Sequence, residues 1–149
     1  MSAARGSAGF TLLELMIVVA ILPVLAAVGA PKLTAMVARS KEGATKGNLG
    51  SIRSALAVYY ADNEGAYPED ALESLENGGK YISGIPAVNI YDTFRHPPGS
   101  GVAPIASLGS ILPDTGGWAY VYSRSSPDWG KVVINCSHPD LNGQPWSRF

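Results

Sequence analysis

The sequence predicts an α+β fold: a long N-terminal helix, membrane-embedded in its first half, packs its second half against a small antiparallel β-sheet. Three observations predict it. Residues 10–31 hold 22 positions and a single charge, Glu14. Further on, Leu49, Ile52, Leu56 and Tyr59/Tyr60 recur at three- and four-residue steps, the spacing of one helical face. Towards the C-terminus Trp118, Tyr120 and Tyr122 alternate with Ala119, Val121 and Ser123 in the two-residue period of a strand. A second strand over residues 131–135 follows the turn chemistry of Ser126-Pro127-Asp128-Trp129-Gly130, which makes the pair a hairpin able to cover the stem helix.

Composition bounds the function. Only 15% of the 149 residues are charged, against an average of about 25%. A net charge of -1 excludes a general nucleic-acid binder, which carries a basic excess. Disorder of the whole chain is excluded because low hydrophobicity and high net charge are both missing. The one cysteine, Cys136, excludes an internal disulfide framework and a multi-cysteine zinc module.

Residues 1–9 are small and polar with one basic side chain, Arg5. As a helix, residues 10–31 span about 33 Å, matching a hydrocarbon core of about 30 Å. A helix apolar on every side belongs in a membrane or a wholly buried core. A carboxylate in such a span is costly and is usually functional; its plain alternative is an interfacial residue reaching for headgroups. A cleaved secretory signal, with Arg5 as basic region, residues 15–22 as apolar core and a cut after Ala30, is the other reading. Glu14 between basic region and core, and Pro31 just beyond the cut, speak against it.

Gly9-Phe10-Thr11-Leu12-Leu13-Glu14-Leu15 resembles the prepilin processing site of type IV pilins and type II secretion pseudopilins. The shared pattern is a glycine, then phenylalanine, then a glutamate four residues on, then an unbroken apolar run. The resemblance implies that residues 1–9 are a leader, that prepilin peptidase cuts between Gly9 and Phe10, and that the new Phe10 terminus is N-methylated. It also implies that Glu14 serves assembly. A buried carboxylate in an apolar filament core needs a cationic partner, and the Phe10 amine of a neighbouring subunit is the nearest candidate.

The implied partners are further copies of the chain in a helical homopolymer, the peptidase, an inner-membrane assembly platform, and lipid before assembly. The implied location is the inner membrane, crossed once with the N-terminus cytoplasmic and the head periplasmic. After assembly it becomes an extracellular pilus or a periplasmic pseudopilus. Pro31 matches a proline common in these families, whereas Pro23 stands where a glycine is frequent. Each proline removes a helical donor, so Pro23, Gly29 and Pro31 make the span breakable; related filaments melt this stretch on assembly. Lys32, Arg39, Lys41 and Lys46 follow the span while Arg5 alone precedes it, so a charge count would reverse the orientation. The processing motif is the more specific signal, and the family orientation is taken.

Residues 32–63 continue as a stem helix, with Leu33, Met36 and Val37 as a weak upstream stripe. Gly43, Gly47 and Gly50 each cost about 1 kcal/mol in a helix; they either admit another backbone closely or mark a loop. Gly65 offers a left-handed cap, and Tyr67-Pro68 forces an extended exit. Residues 59–68 are similar to the stem end of major pseudopilins and some pilins. The head, residues 64–149, begins with a short helix after Pro68 that turns Leu72 and Leu75 inward and ends at Asn77-Gly78-Gly79. Residues 80–115, with Pro86, Pro97, Pro98, Pro104 and Pro113, are loop-rich, with a weak strand over 88–94. Trp146 and Phe149 pin the tail to the sheet.

Nothing in the chain has the spacing of a nucleophile elbow or a phosphate-cradling glycine loop, so no catalytic residue, metal or cofactor is expected. Cys136, His138 and Asp140, with His96 distant in sequence, are zinc ligand types, but a strand-end cysteine buried as a small hydrophobe explains them without an ion. Asp140-Leu141-Asn142-Gly143 opens like a calcium loop and lacks the third oxygen residue and the terminal acid, so a solvated turn is expected. Tyr59, Tyr60 and Tyr67 are assigned to packing rather than electron transfer. Charge is segregated: residues 32–53 are net +4 and residues 62–76 net -6. These are two solvated faces or a complementary head-to-stem contact between stacked subunits. The function expected is a structural subunit of a type IV pilus or related filament. The alternatives are a major pseudopilin of a type II secretion system, and a periplasmic binding or enzymatic domain with an unusual signal.

Overall fold

A computed structural model describes residues 9–90, 96–109 and 113–149. The first element is α1 (Leu12–Asp62), an unbroken helix of 51 residues that contains both Pro23 and Pro31. At ~1.5 Å per residue it is about 77 Å long. Gly43, Gly47 and Gly50 lie inside it, which removes the loop alternative. The chain divides into two compact units, residues 1–37 and 38–149.

In the first unit the apolar half of α1 is uncovered: Leu12, Met16, Val24 and Val28 are each about two-thirds exposed or more, at 77%, 65%, 64% and 64%.

In the second unit α1 buries Ala38, Glu42, Thr45, Leu49, Ile52 and Leu56, alternating steps of four and three. The stripe expected from Leu49 onward is present. Upstream it takes another course: Leu33, Met36 and Val37 are exposed, and the buried line passes through a small residue and two polar ones. Glu42 accepts the Leu141 amide at 2.8 Å. The Thr45 hydroxyl donates to the Asn89 carbonyl at 3.0 Å and accepts its amide at 2.9 Å. Buried polar groups are tolerated where their hydrogen bonds are made, so an apolar pattern does not register this half of the face.

The helix stops where expected. Glu64 and Gly65 both take positive φ, 53° and 83°. The Gly65 amide reaches back to the Tyr60 carbonyl at 3.0 Å, the six-to-one bond of a Schellman ending. The following helix, α2 (Glu73–Glu76), is shorter than expected and leads into a 3-10 turn at Asn77–Gly79. Asp70 accepts the Ser74 amide at 3.0 Å, and Leu72 and Leu75 are completely buried, as their spacing predicts.

The sheet has three short strands in the order β1 (Val102–Ile105), β2 (Trp118–Val121), β3 (Val132–Ile134). The expected hairpin is the antiparallel pair β2–β3, in register Trp118 to Ile134. β1 joins parallel to β2, Val102 beside Trp118, within the stretch expected to be loop. Pro104 argues against a central strand, but β1 lies at an edge, where a missing donor costs no ladder bond. The weak strand expected over 88–94 reduces to one antiparallel bridge between Val88 and Gly99, and residues 91–94 lie outside the described residues.

Trp118 and Tyr120 point from β2 into a core shared with Ile52, Leu56, Leu75 and Trp146. Ala119 and Val121, on the other face, pack with Ile105 and Val133. Both large β2 side chains also anchor loops. The Trp118 indole donates to the Pro86 carbonyl and the Tyr120 hydroxyl to the Pro68 carbonyl, each at 2.7 Å. Burial, with the Asp70 carboxylate nearby, pushes the Tyr120 hydroxyl far above the ordinary tyrosine range. The tail is fixed as expected: Trp146 is buried, and Phe149 packs beside it with ring centroids 5.8 Å apart.

Candidate functional site

The N-terminal segment is built around the first turn of α1. Thr11 precedes the first helical residue, and its carbonyl accepts the Leu15 amide at 3.3 Å. Its hydroxyl accepts the Glu14 amide at 3.2 Å. In return the Glu14 Oε2 accepts both the Thr11 amide and the Thr11 hydroxyl at 2.9 Å. This is a reciprocal capping box, Thr11-x-x-Glu14, which satisfies two donors that a helix start otherwise leaves unpaired. It was legible in the sequence as a threonine followed three residues later by a glutamate before an apolar run, and reading Glu14 for assembly alone passes over it. Immediately before the cap, Phe10 is 77% exposed, so the Gly9–Phe10 junction adjoins the fixed helix start without packing on it.

Beyond the cap the segment is a continuous apolar cylinder. Leu12 to Pro31 covers about 30 Å, the thickness of a bilayer's hydrocarbon core. Pro23 and Pro31 lack the amides that would bond the Val19 and Ala27 carbonyls. Two missing bonds within three turns leave the helix intact here and weaken it at these points. Just downstream, the Thr34 hydroxyl donates to the Ala30 carbonyl at 3.1 Å.

Residues 4–30 match the family model described as a prokaryotic N-terminal methylation motif. The chain is 39% identical over 80 residues to the fimbrial protein EcpC of Eikenella corrodens, covering 52% of each. It is 41% identical over 73 residues to the type II secretion system core protein G of Pseudomonas aeruginosa, covering 48% of this chain and 51% of the relative. To the type IV major pilin protein PilA of Myxococcus xanthus it is 40% identical over 76 residues, covering 49% and 34%. Over about half of its length the chain is thus similar to fimbrial, type IV pilin and type II secretion core proteins, and its N-terminal segment carries the methylation motif. It spans about half the length, or less, of these curated relatives, and no solved structure matches it.

In the head, three of the zinc ligand types named from the sequence, His96, Cys136 and His138, come together, and the fourth does not. Asp140 leaves the group. Its carboxylate pairs with the Lys46 ammonium of α1 at 2.7 Å and accepts the Asn142 and Gln144 amides at 2.9 Å each. Burial alone would raise its pKa, but Lys46 and the two amides outweigh it and hold Asp140 below the usual carboxylate range. The expected solvated turn is present at Leu141, Asn142 and Gly143, which are exposed, but Asp140 itself is buried and ties the tail to the stem helix. Asp114, unremarked in the sequence, instead joins His96, Cys136 and His138. Burial pushes the Cys136 thiol up to about 11.

The tyrosines form packing pairs at the end of the stem. Tyr59 meets Tyr81 edge-on at 5.2 Å, and Tyr60, Tyr67 and Trp129 follow one another at 4.5 and 5.4 Å. Several members of the segregated charge blocks are engaged inside the head. Lys46 pairs with Asp140, Asp62 with Lys80 and Glu69 with Arg124, while Arg53 donates to the Val132 carbonyl and Glu76 accepts the Ile85 amide.

Proposed function

We propose that this chain is the structural subunit of a type IV filament, stored in the inner membrane through the apolar half of α1 and withdrawn from it on assembly. The observation that carries the reading is that apolar half itself: a bilayer's length of helix whose large apolar side chains are exposed among the described residues, opening with one carboxylate. Prepilin peptidase cuts after Gly9, the Phe10 amine is methylated, and an inner-membrane platform receives the subunit. In the filament Glu14 exchanges its Thr11 contacts for the Phe10 amine of a neighbour. The stretch holding Pro23, Gly29 and Pro31 gives way as helices pack, because its ladder already lacks two donors. Gly43, Gly47 and Gly50, beside which an added methyl would meet nothing within 4 Å in the chain, leave a face for close approach by another helix. The head stands on the periplasmic side before assembly. The reading assigns the chain no catalysis.

The likeness to a type II secretion core protein favours a second reading of the same kind, a major pseudopilin whose filament stays in the periplasm. One experiment tests both. Filaments sheared from producing cells are compared with periplasmic extract, and the mature terminus is determined by mass spectrometry. Methylated Phe10 in sheared surface filaments supports the pilus, and methylated Phe10 retained with the cells supports the pseudopilus. A soluble periplasmic chain beginning at Pro31 overturns both in favour of a binding or enzymatic domain.

A further inference from the structure

We propose that His96, Asp114, Cys136 and His138 form a structural zinc site that staples the loops of the head. Three separate stretches deliver the donors. Cys136 and His138 are alternate residues on the extended chain leaving β3, held in place because their carbonyls accept the Ser147 and Trp146 amides at 2.9 Å. Asp114 sits in a non-glycine left-handed turn, φ 54°. It is pinned there by its amide, which donates to the side chain of the fully buried Asn135 at 3.0 Å. His96 lies three residues before Gly99, which bridges to Val88. Its ring lies directly over Gly116, where an added Cβ would fall 2.5 Å from the His96 Cβ.

The donor atoms converge with the spacing of a coordination shell. A tetrahedral zinc bonded at ~2.0–2.1 Å to nitrogen or oxygen and ~2.3 Å to sulfur sets its ligand atoms about 3.3–3.6 Å apart. His96 Nε2 lies 3.3 Å from His138 Nδ1, and Cys136 Sγ lies 3.4 Å from the same nitrogen. The Asp114 carboxylate is 3.5 Å from His96 Nε2 and 3.7 Å from His138 Nδ1. One donor atom from each residue, all four together, falls within 4.8 Å of every other. The Asp114 carboxylate is itself oriented by the Ser137 amide and hydroxyl, at 2.9 and 3.1 Å, the kind of outer support that metal-binding carboxylates receive.

Two imidazoles, a thiolate and one carboxylate suit zinc or a similar borderline ion. Calcium, which takes six to eight oxygens, is excluded by the same set. Four protein ligands close the shell, which is the structural rather than the catalytic arrangement. Cys136 is fully buried, while the His138 and Asp114 side chains are about one-third exposed, so an ion enters from solvent. With a single cysteine the chain has no internal disulfide, and the ion fastens loops that three short strands leave long, where cross-links restrict the unfolded chain most.

The test uses the full chain purified in detergent, stripped with chelator and dialysed against zinc sulfate alone or cobalt chloride alone. Expected are about one zinc per chain by metal analysis, a raised melting temperature, and a cobalt complex with a thiolate charge-transfer band. His138→Gln, at an accessible position, weakens zinc by roughly tenfold or more, and Cys136→Ser abolishes the cobalt–thiolate band. Asp140→Asn, outside the cluster, binds as the parent does. Failure to retain zinc, a cobalt complex of the parent without a thiolate band, undiminished zinc binding in His138→Gln, or displacement of zinc by an equal concentration of calcium each overturns the proposal. Should Cys136→Ser not fold, the parent's cobalt spectrum and the His138→Gln affinity decide.

Discussion

Thr11 and Glu14 satisfy each other at the first turn of α1: one carboxylate oxygen lies 2.9 Å from both the amide and the hydroxyl of Thr11, and the Glu14 amide returns a bond to that hydroxyl at 3.2 Å. The carboxylate is thus partnered before any neighbour arrives. Glu14 has two separable roles on this reading, capping in the monomer and pairing in the filament. Glu14→Ala removes both, whereas Thr11→Ala removes the two hydroxyl bonds of the cap and spares the acid. The expected outcome is that both variants enter the membrane and fold, that both lose some helicity, and that only Glu14→Ala falls sharply in sheared filaments. Equal filament defects in the two variants, measured by quantitative immunoblot, would make Glu14 a capping residue and nothing more.

The junction before the cap gives a second prediction. A small residue at position 9 lets an extended chain enter a peptidase cleft, and the exposed Phe10 leaves that approach open. Gly9→Val should keep residues 1–9 attached in the cell. Intact mass reads this directly; a variant of mature length with methylated Phe10 would show that Gly9 does not set the cut.

The buried face of the stem shows what could be read in the sequence and what could not. Leu49, Ile52 and Leu56 announce their half through apolar spacing, and Trp118 and Tyr120 announce β2 through alternation. The other half of the stem face is Ala38, Glu42 and Thr45, whose burial depends on partners 99 and 44 residues away. No local pattern contains those partners. β1 escaped notice because Pro104 argues against a strand unless the strand is known to lie at an edge. The same limit divided the metal ligand types. Cys136 and His138 are two residues apart in sequence, but Asp114 and His96 reach them through Asn135 and Gly116, and Asp140 is drawn away by a lysine on another element.

Thr45 supplies a stability test of that hidden stripe. Its side chain is completely buried and both donates to and accepts from the Asn89 backbone. Thr45→Val keeps the shape and leaves an amide and a carbonyl without this partner. The expected loss is roughly 1–3 kcal/mol, read by urea unfolding of the full chain in detergent. A loss within about 0.5 kcal/mol, the range of an ordinary surface substitution, would mean that water serves Asn89 equally well.

Acid should loosen the tail through Asp140. Its carboxyl is held below the ordinary range in the folded chain, against about 3.9 when unfolded. A depressed folded pKa means that the contribution to stability is fully present above the unfolded value. It is lost as pH falls below about 4 and through the folded value. Asp140→Asn should therefore lower the melting temperature at pH 7 and flatten the acid limb of the stability curve relative to the parent. Melts across acid and neutral pH check this; parallel curves would assign the acid sensitivity to other carboxylates.

The segregated charges yield a prediction about the filament. Because Lys46, Asp62 and Glu69 already pair within the chain, they are poor candidates for contact with a neighbour. Arg39 and Lys41 on the stem, and Glu64 and Glu73 after it, form no ion pair among the described residues, and Arg39, Glu64 and Glu73 are exposed. If stem and head of stacked subunits meet through charge, these four carry it. An exposed pair contributes only about 0–1 kcal/mol, so a single reversal should pass almost unnoticed in one subunit. Repetition along a polymer multiplies it, and salt shortens the Debye length to about 3 Å at 1 M. Filaments should therefore loosen or bundle differently in high salt. Reversing Glu64 and Glu73 together should lower filament yield, and reversing Arg39 and Lys41 in the same chain should restore part of it. Quantified sheared filaments from the four strains decide the matter. Normal yield from the acidic double variant, or a second reversal that adds its own defect, would mean that the two stretches do not touch and that both are solvated faces.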